Sequence, residues 1–494
     1  KGVCRGRPER SAKIRRSIDA MKIAFLHYHL KPGGVARVIR QQIAALSGHA
    51  EMLVLTGTAP RMPVSVETVE IAGLGYDGTK ALAEKPPEPA KAIADQIIRA
   101  VHDKWADGCD ILHVHNPLLA KNHHLPEILA RLQQQDVKLL LQVHDFAEDG
   151  RSGAYYAGIP YPEHCHYCVI NSRDYDFLRR SGLSPEGLHL LPNMVDPFYL
   201  QPKKTIDQKF VLYPVRAIRR KNIGEAILAA SFFEPGVRLA ITLPPNSPRD
   251  WAPYQRWRAF VKEQDLPVIF GASDKFKYAD LVQSAESMIT TSVTEGFGFA
   301  FLEPWTAGQF LGGRRLPDIC RDFEQNGLNL AHLYDCLAVP LQAINAERFF
   351  NKWQSCLKLN VEHYGLQMKN QAIKKTFDQL TRNHRIDFGM LDEGFQQQVI
   401  LKAHADSTIY QKILDTNPLL LNLTTVSDRA DRIAKNRAAV LSRYNVDRYQ
   451  EQLLEIYQSV RQTDVRQRID KTRLALEFLR PENFSLLKWS EDAL

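Results

Sequence analysis

Ser287-Met288-Ile289-Thr290-Thr291-Ser292-Val293-Thr294-Glu295-Gly296-Phe297-Gly298-Phe299-Ala300-Phe301-Leu302-Glu303 reads as a buried strand, Ser287 to Val293, that enters an apolar helix through a turn with two glycines. Gly296 and Gly298 let the backbone turn sharply there. The first N–H groups of a helix have no partner inside it, and with the helix dipole behind them they attract an anion such as a phosphate. Glu295 and Glu303 put a carboxylate on each side. That combination suits a ligand with both phosphate and hydroxyls, as a nucleotide sugar has; a structural turn carrying two surface carboxylates is the competing reading.

Working outward from this stretch, short apolar runs alternate with helical patterns. Strands are predicted at 21–28, 51–56, 110–115, 138–143 and 166–171, with helices at 35–46, 89–106, 123–134 and 172–181. A second alternation places strands at 210–214, 237–243, 267–270 and 287–293, with helices at 222–232, 250–264 and 276–285. Strand–helix alternation implies parallel sheets covered on both faces. The expected architecture is α/β, with two doubly wound Rossmann-like domains facing a cleft and a helical C-terminal extension. Its expected parts are a basic extension at 1–20, a first domain at 21–196, a second at 197–445 with a helical insertion within 340–425, and closing helices at 446–494.

A chain of 494 residues exceeds what one core organises, and 44% hydrophobic with 24% charged residues is ordinary for a globular enzyme. The formal charge of +8 is concentrated in residues 1–20, which hold seven Lys or Arg against two acids. With no basic stripe interleaved with aromatics elsewhere, no nucleic-acid partner is expected. Met21 opens a clean strand and is expected to be the natural start. No apolar run of 18 residues exists, so no bilayer span is predicted, and an odd set of seven irregularly spaced cysteines fits a reduced, cytoplasmic protein. Contact of the basic first 20 residues with the inner face of an anionic membrane stays open. Cys165-His166-Tyr167-Cys168 has no second ligand pair at zinc spacing, so core cysteines and no metal are expected.

Ligands of doubly wound sheets gather beyond the carboxyl ends of the strands, and four residue sets fall there. Gly33 and Gly34 stand between the first strand and its helix, where amides can approach a phosphate or simply turn the chain. Arg37, one turn on, faces an anionic acceptor or solvent. His144-Asp145 ends the strand 138–143, with His115-Asn116 a weaker pair at a neighbouring strand end; a satisfied core histidine is the alternative for His144. Arg216 and Lys221 flank a strand-to-helix turn and can neutralise charge on a departing phosphate, with Arg219 and Arg220 crowding the assignment. Glu295, Gly298, Phe299 and Glu303 form the fourth set.

The run E-G-F-G-F-A-F-L-E resembles the "glutamate, seven residues, glutamate" motif of retaining family-4 glycosyltransferases of the GT-B fold, and Arg216 with Lys221 matches that family's Arg and Lys pair. The resemblance spans roughly residues 21–330. It implies that Gly33 and Gly34 approach the donor diphosphate and that His144 bonds the transferred sugar near its reacting carbon. Glu295 would bind hexose hydroxyls and Glu303 the ribose, while amides around Gly298, Phe299 and Ala300 would hold the distal phosphate. The implied reaction is hexosyl transfer from a UDP- or GDP-hexose to an acceptor hydroxyl, by same-face attack, without a cofactor. A sugar-nucleotide epimerase and a non-catalytic nucleotide-sugar-binding subunit are the alternatives; a dinucleotide oxidoreductase lacks its G-x-G-x-x-G after the first strand. Acceptor identity, donor base and oligomeric state are not encoded legibly.

Overall fold

The computed structural model describes residues 20–77, 89–198, 206–424 and 427–489; the basic stretch 1–19 lies outside them. Strands β1 (Met21–His27), β2 (Ala50–Thr56), β3 (Thr68–Glu70), β4 (Ile111–His115), β5 (Leu139–Val143), β6 (His166–Val169) and β7 (Leu188–Leu190) form a sheet in the order 3-2-1-4-5-6-7. Strands β8 (Phe210–Arg216), β9 (Arg238–Leu243), β10 (Val268–Phe270), β11 (Ser287–Thr290) and β12 (Leu311–Gly313) form a second, parallel sheet in the order 10-9-8-11-12. Every residue of β4, β5, β6 and β11 is buried, as strands covered on both faces must be. By compactness the chain divides into a unit of residues up to Val114 with Glu127–Leu140, and a unit of His115–Pro126 with Leu141 onward.

In the first unit, Gly33 is extended and precedes the helix Gly34–Ala45, whose first turn carries no acid and no side-chain cap. Arg37 closes that turn, its N–H donating to Gly33 O at 3.0 Å. A Cβ at Gly34 would meet nothing within 4 Å, so local packing does not demand glycine there.

In the second unit, strand order reverses between β8 and β11, and loops diverge at such a point to leave a crevice. The β8 loop carries Arg219–Asn222 and the β11 loop carries Thr291–Glu295. Beneath them Phe297, Phe301, Leu302 and Trp305 share a core with Phe310, Ile319, Phe323 and Tyr444. Trp305, wholly buried, satisfies its indole by donating to Phe301 O at 2.8 Å.

The predicted apolar helix after Gly298 is corrected to a single 3₁₀ turn, Phe299–Phe301, followed by the four-residue helix Glu303–Thr306. Pro304 has no N–H to continue a ladder from the 3₁₀ turn, so the chain restarts with proline in its first turn. The strand predicted to reach Val293 stops at Thr290, because Thr291 and Val293 bond instead to the β8 loop.

Residues 338–424 hold an antiparallel pair, β13 (Ala338–Pro340) with β14 (Arg385–Asp387), and helices Ala346–His363, Asn370–Leu380, Glu393–Ala405 and Ser407–Thr416. After the helix Val446–Gln462, Gln467 donates to Cys165 O and Gly187 O at 2.7 and 3.0 Å. The helix Lys471–Phe478 follows, its Glu477 paired with Arg180 at 2.6 Å. Among the described residues no helix is long and apolar enough to cross a membrane.

Gly313 closes β12 at φ +109°, and a Cβ there would stand 2.1 Å from Thr290 O. Gly313→Ala is expected to cost at least about 2 kcal/mol through backbone strain and overlap. An unchanged urea midpoint would contradict that.

Candidate functional site

Two turns meet in the crevice of the second sheet. Arg219–Lys221 form a 3₁₀ turn ended by Asn222 in the left-handed region, φ 51° and ψ 51°, a conformation asparagine tolerates better than most residues. Tyr213 OH donates to Lys221 O at 2.5 Å, Thr291 Oγ1 donates to Asn222 O at 2.9 Å, and Val293 N–H donates to Arg220 O at 3.0 Å. The first ties the turn back to β8, and the other two couple the β8 and β11 loops before any charge is considered.

The charges then converge. Lys221 Nζ and Glu295 Oε1 form an ion pair, and Arg220 reaches Glu295 Oε2 at 3.3 Å and Thr294 O at 3.3 Å. Burial pushes the Glu295 carboxyl upward, but Lys221 and Arg220 outweigh it and hold the group below its ordinary value. Burial draws Lys221 down, with Glu295 opposing and Arg220 adding to the fall. The direct contact favours the charged form of both partners. Because each charge is largely removed from water, its effect on a neighbouring phosphate is less screened than at a surface.

His144 closes the site from β5. It is buried, its Nε2 lies 2.9 Å from His115 Nδ1, and the two rings stack. Asn116 Oδ1 accepts from His144 N–H at 2.7 Å and from Asp145 N–H at 3.1 Å, so this left-handed residue (φ 55°) fixes the end of β5. Burial lowers His144 to about 4, only partly opposed by Asp145, which makes the imidazole neutral at pH 7. Asp145, raised by burial and lowered by Arg151, Arg220 and His144, ends below its usual range; Arg151 contacts it at 2.5 Å. A Cβ on Gly296 would sit 3.1 Å from His144 O. Glycine at 296 therefore lets the glutamate loop lie directly on the histidine strand end.

Lys221, Glu295 and His144 with Asp145, His115 and Asn116 are thus brought into one neighbourhood. The Arg216 guanidinium donates to Pro244 O at 3.1 Å. Arg220, which the sequence offers only as crowding that assignment, stands beside Glu295. Gly298 adopts φ +94°, where a Cβ would crowd Phe301 and Ile319 at 3.0 and 3.1 Å. The Phe301 and Leu302 N–H groups bond back to Gly298 and Phe299, and Glu303 heads the short helix that follows. Gly33, Gly34 and Arg37 belong to the other unit. Cys165 and Cys168 are buried, with thiols directed to Pro162 O and Val169 O, and no group of three or more His, Cys, Asp or Glu that could hold a metal ion occurs among the described residues.

No family model matches the chain. It is 25% identical over 437 residues to mannosylglucosyl-3-phosphoglycerate synthase of Petrotoga mobilis, covering 77% of this chain and 81% of that protein. Its structure is similar to a glycosyltransferase from Rickettsia africae (TM-score 0.51, 11% identity, 90% of this chain and all of that one). It is also similar to TarM (TM-score 0.50, 10% identity, 89% and 99%). In sequence and in structure the chain resembles glycosyltransferases, and its two parallel Rossmann-like sheets with a helical C-terminal region make the GT-B fold.

An imidazole with a folded-state pKa near 4 and an unfolded value near 6.5 binds its proton more readily when the chain is unfolded. Its contribution to stability is full above pH 6.5 and is lost as pH falls toward 4. Unfolding free energy is expected to drop across that window, and His144→Gln to make the drop shallower in urea titrations at pH 4.5 and 7. Equal pH slopes for both proteins would contradict a neutral His144.

Proposed function

We propose that the chain is a retaining hexosyltransferase that moves a sugar from a UDP- or GDP-hexose to an acceptor hydroxyl. The observation that carries this reading is the buried Lys221–Glu295 pair, with Arg220 beside it, at the strand-order reversal of a GT-B second sheet. In the step proposed, the bond from the anomeric carbon to the leaving phosphate breaks and a bond to the acceptor oxygen forms on the same face. The acceptor proton passes to a leaving-phosphate oxygen. Lys221 and Arg220 stabilise the charge that grows on that phosphate, a preorganised electrostatic effect worth several kcal/mol. Glu295 holds Lys221 in place and accepts from hexose hydroxyls, while neutral His144 can exchange a hydrogen bond with the sugar without adding charge. Glu303 and the amides of Gly298 and Phe299 take the ribose and distal phosphate. Gly33, Gly34, Arg37, His115, Asn116 and Asp145 keep the roles outlined from sequence, Arg216 stays a candidate for the leaving-phosphate charge alongside Lys221 and Arg220, and the domain limits 21–196, 197–445 and 446–494 are part of the same proposal.

Two carboxylates flanking the scissile bond are needed for a covalent retaining route. Glu295 is engaged by two cations, which lowers its nucleophilicity and favours the same-face route. The name of the Petrotoga relative, a mannosylglucosyl-3-phosphoglycerate synthase, makes anionic hexosyl-phosphoglycerates the first acceptors to test and GDP-mannose the first donor.

Nucleotide release should be measured across UDP- and GDP-hexoses, first alone and then with acceptors; silence from every donor–acceptor pair sinks the reading. Lys221→Ala is expected to lower kcat by about 100-fold or more with donor KM changed less than about threefold, because its charge matters most in the transition state. Arg220→Ala is expected to lower kcat at least as much as Arg216→Ala, and the reverse order would return the leaving-group role to Arg216.

A further inference from the structure

The turn that presents Arg220 and Lys221 is gripped from outside the sheet. Arg219, between the strand and those two cations, is buried and makes a two-point bond with Glu393, Nε to Oε1 at 2.7 Å and Nη2 to Oε2 at 3.0 Å. Its backbone N–H donates to Asp250 Oδ1 at 3.1 Å. On the far side of the turn, fully buried Gln396 donates from Nε2 to Asn222 Oδ1 at 2.8 Å, and Asn222 Nδ2 donates to Glu225 at 2.7 Å. Glu393 and Gln396 stand three apart on the helix Glu393–Ala405, so both face the turn together. Asp392 caps that helix, accepting from Phe395 N–H at 3.1 Å, and is paired with Lys352 at 2.7 Å. Gly224 completes the fit: a Cβ there would strike Gln396 at 2.2 Å and Trp257 at 2.4 Å.

A planar guanidinium held at two points by a carboxylate loses rotational as well as translational freedom. Arg219 at one end and left-handed Asn222 at the other are therefore fixed, and the two residues between them have little backbone latitude. Their side chains point away from the helix and reach Glu295. From this geometry we infer that the helix Glu393–Ala405, within the segment 338–424, is the positioning element for the Arg220–Lys221 cation pair. Glu393 and Gln396 act as positioning residues for the leaving-group charge. The inference rests on the proposed hexosyl transfer, and it gives the extra segment a task in the reaction rather than at the periphery.

The test compares wild type, Glu393→Gln, Lys221→Ala and the double variant, reading nucleoside diphosphate release from UDP-glucose and GDP-mannose and hydrogen exchange at the Lys221 and Asn222 amides. Glu393→Gln is expected to lower kcat by about tenfold or more with donor KM within about threefold of wild type. Adding it to Lys221→Ala should cause a smaller further loss than it causes in wild type, since one of the two cations it acts through is already gone. Exchange at the two amides should rise about tenfold while the helix Arg429–Arg443 keeps wild-type protection. An unaffected kcat, or losses that multiply in the double variant, overturns the inference and leaves the transferase reading standing. If wild type releases no nucleotide, the transferase reading fails and exchange alone decides: faster exchange supports the positioning role, unchanged exchange overturns it. Should Glu393→Gln not fold, Gln396→Met keeps the volume, removes the bonds to Asn222 Oδ1 and Phe388 O, and is judged by the same readouts.

Discussion

A lysine and a glutamate share a largely dry space where the strand order of the second sheet reverses, and much of the neighbouring structure is arranged to make that tolerable. Removing two ions from water costs several kcal/mol each, and their attraction offsets this only when geometry and further hydrogen bonds are good. Tyr213, Thr291 and Val293 supply those bonds to the backbone of the lysine turn, and Arg220 adds a second cation to the same carboxylate. A pair of this kind is poor evidence for stability. Under the proposed transfer it is charge fixed in advance where the leaving phosphate develops charge of opposite sign.

Neutrality beside it matters as much. A third positive group beside Lys221 and Arg220 would add repulsion in a poorly solvated space. Burial against Asn116 and His115 keeps His144 uncharged, so the His144 end of the crevice is polar without being cationic. The charged pair and the neutral imidazole lie close because two strand ends meet across Gly296, where a Cβ would sit 3.1 Å from His144 O.

Much of this was legible from sequence because the relevant signals are local. Apolar runs such as Leu139–Val143 and Phe210–Tyr213 announce buried parallel strands, and polar residues just past them, His144, Lys221 and Glu295, stand where doubly wound sheets keep their ligands. What escaped depends on direction rather than position. Arg216 and Arg220 are both plausible partners for a phosphate by spacing; the 3₁₀ turn at Arg219–Lys221 aims Arg220 at Glu295, while Arg216 turns to Pro244 O. The helix expected after Gly298 failed for a different reason: Phe299, Phe301 and Leu302 have helical apolar spacing, but Pro304 has no hydrogen to extend the ladder.

The contribution of residues 338–424 was illegible in principle. Glu393 lies 174 residues from Arg219, and nothing in either neighbourhood marks the partnership. Yet the consequence is specific. Arg219 is the one cation of the run Arg219-Arg220-Lys221 that turns away from the crevice, and Glu393 meets its buried guanidinium with both oxygens. Losing that carboxylate would take two charged hydrogen bonds from a buried guanidinium and loosen the turn that carries its neighbours. The cation facing away from the chemistry thereby sets the aim of the two that face it, and a segment outside both sheets becomes part of how the site is built.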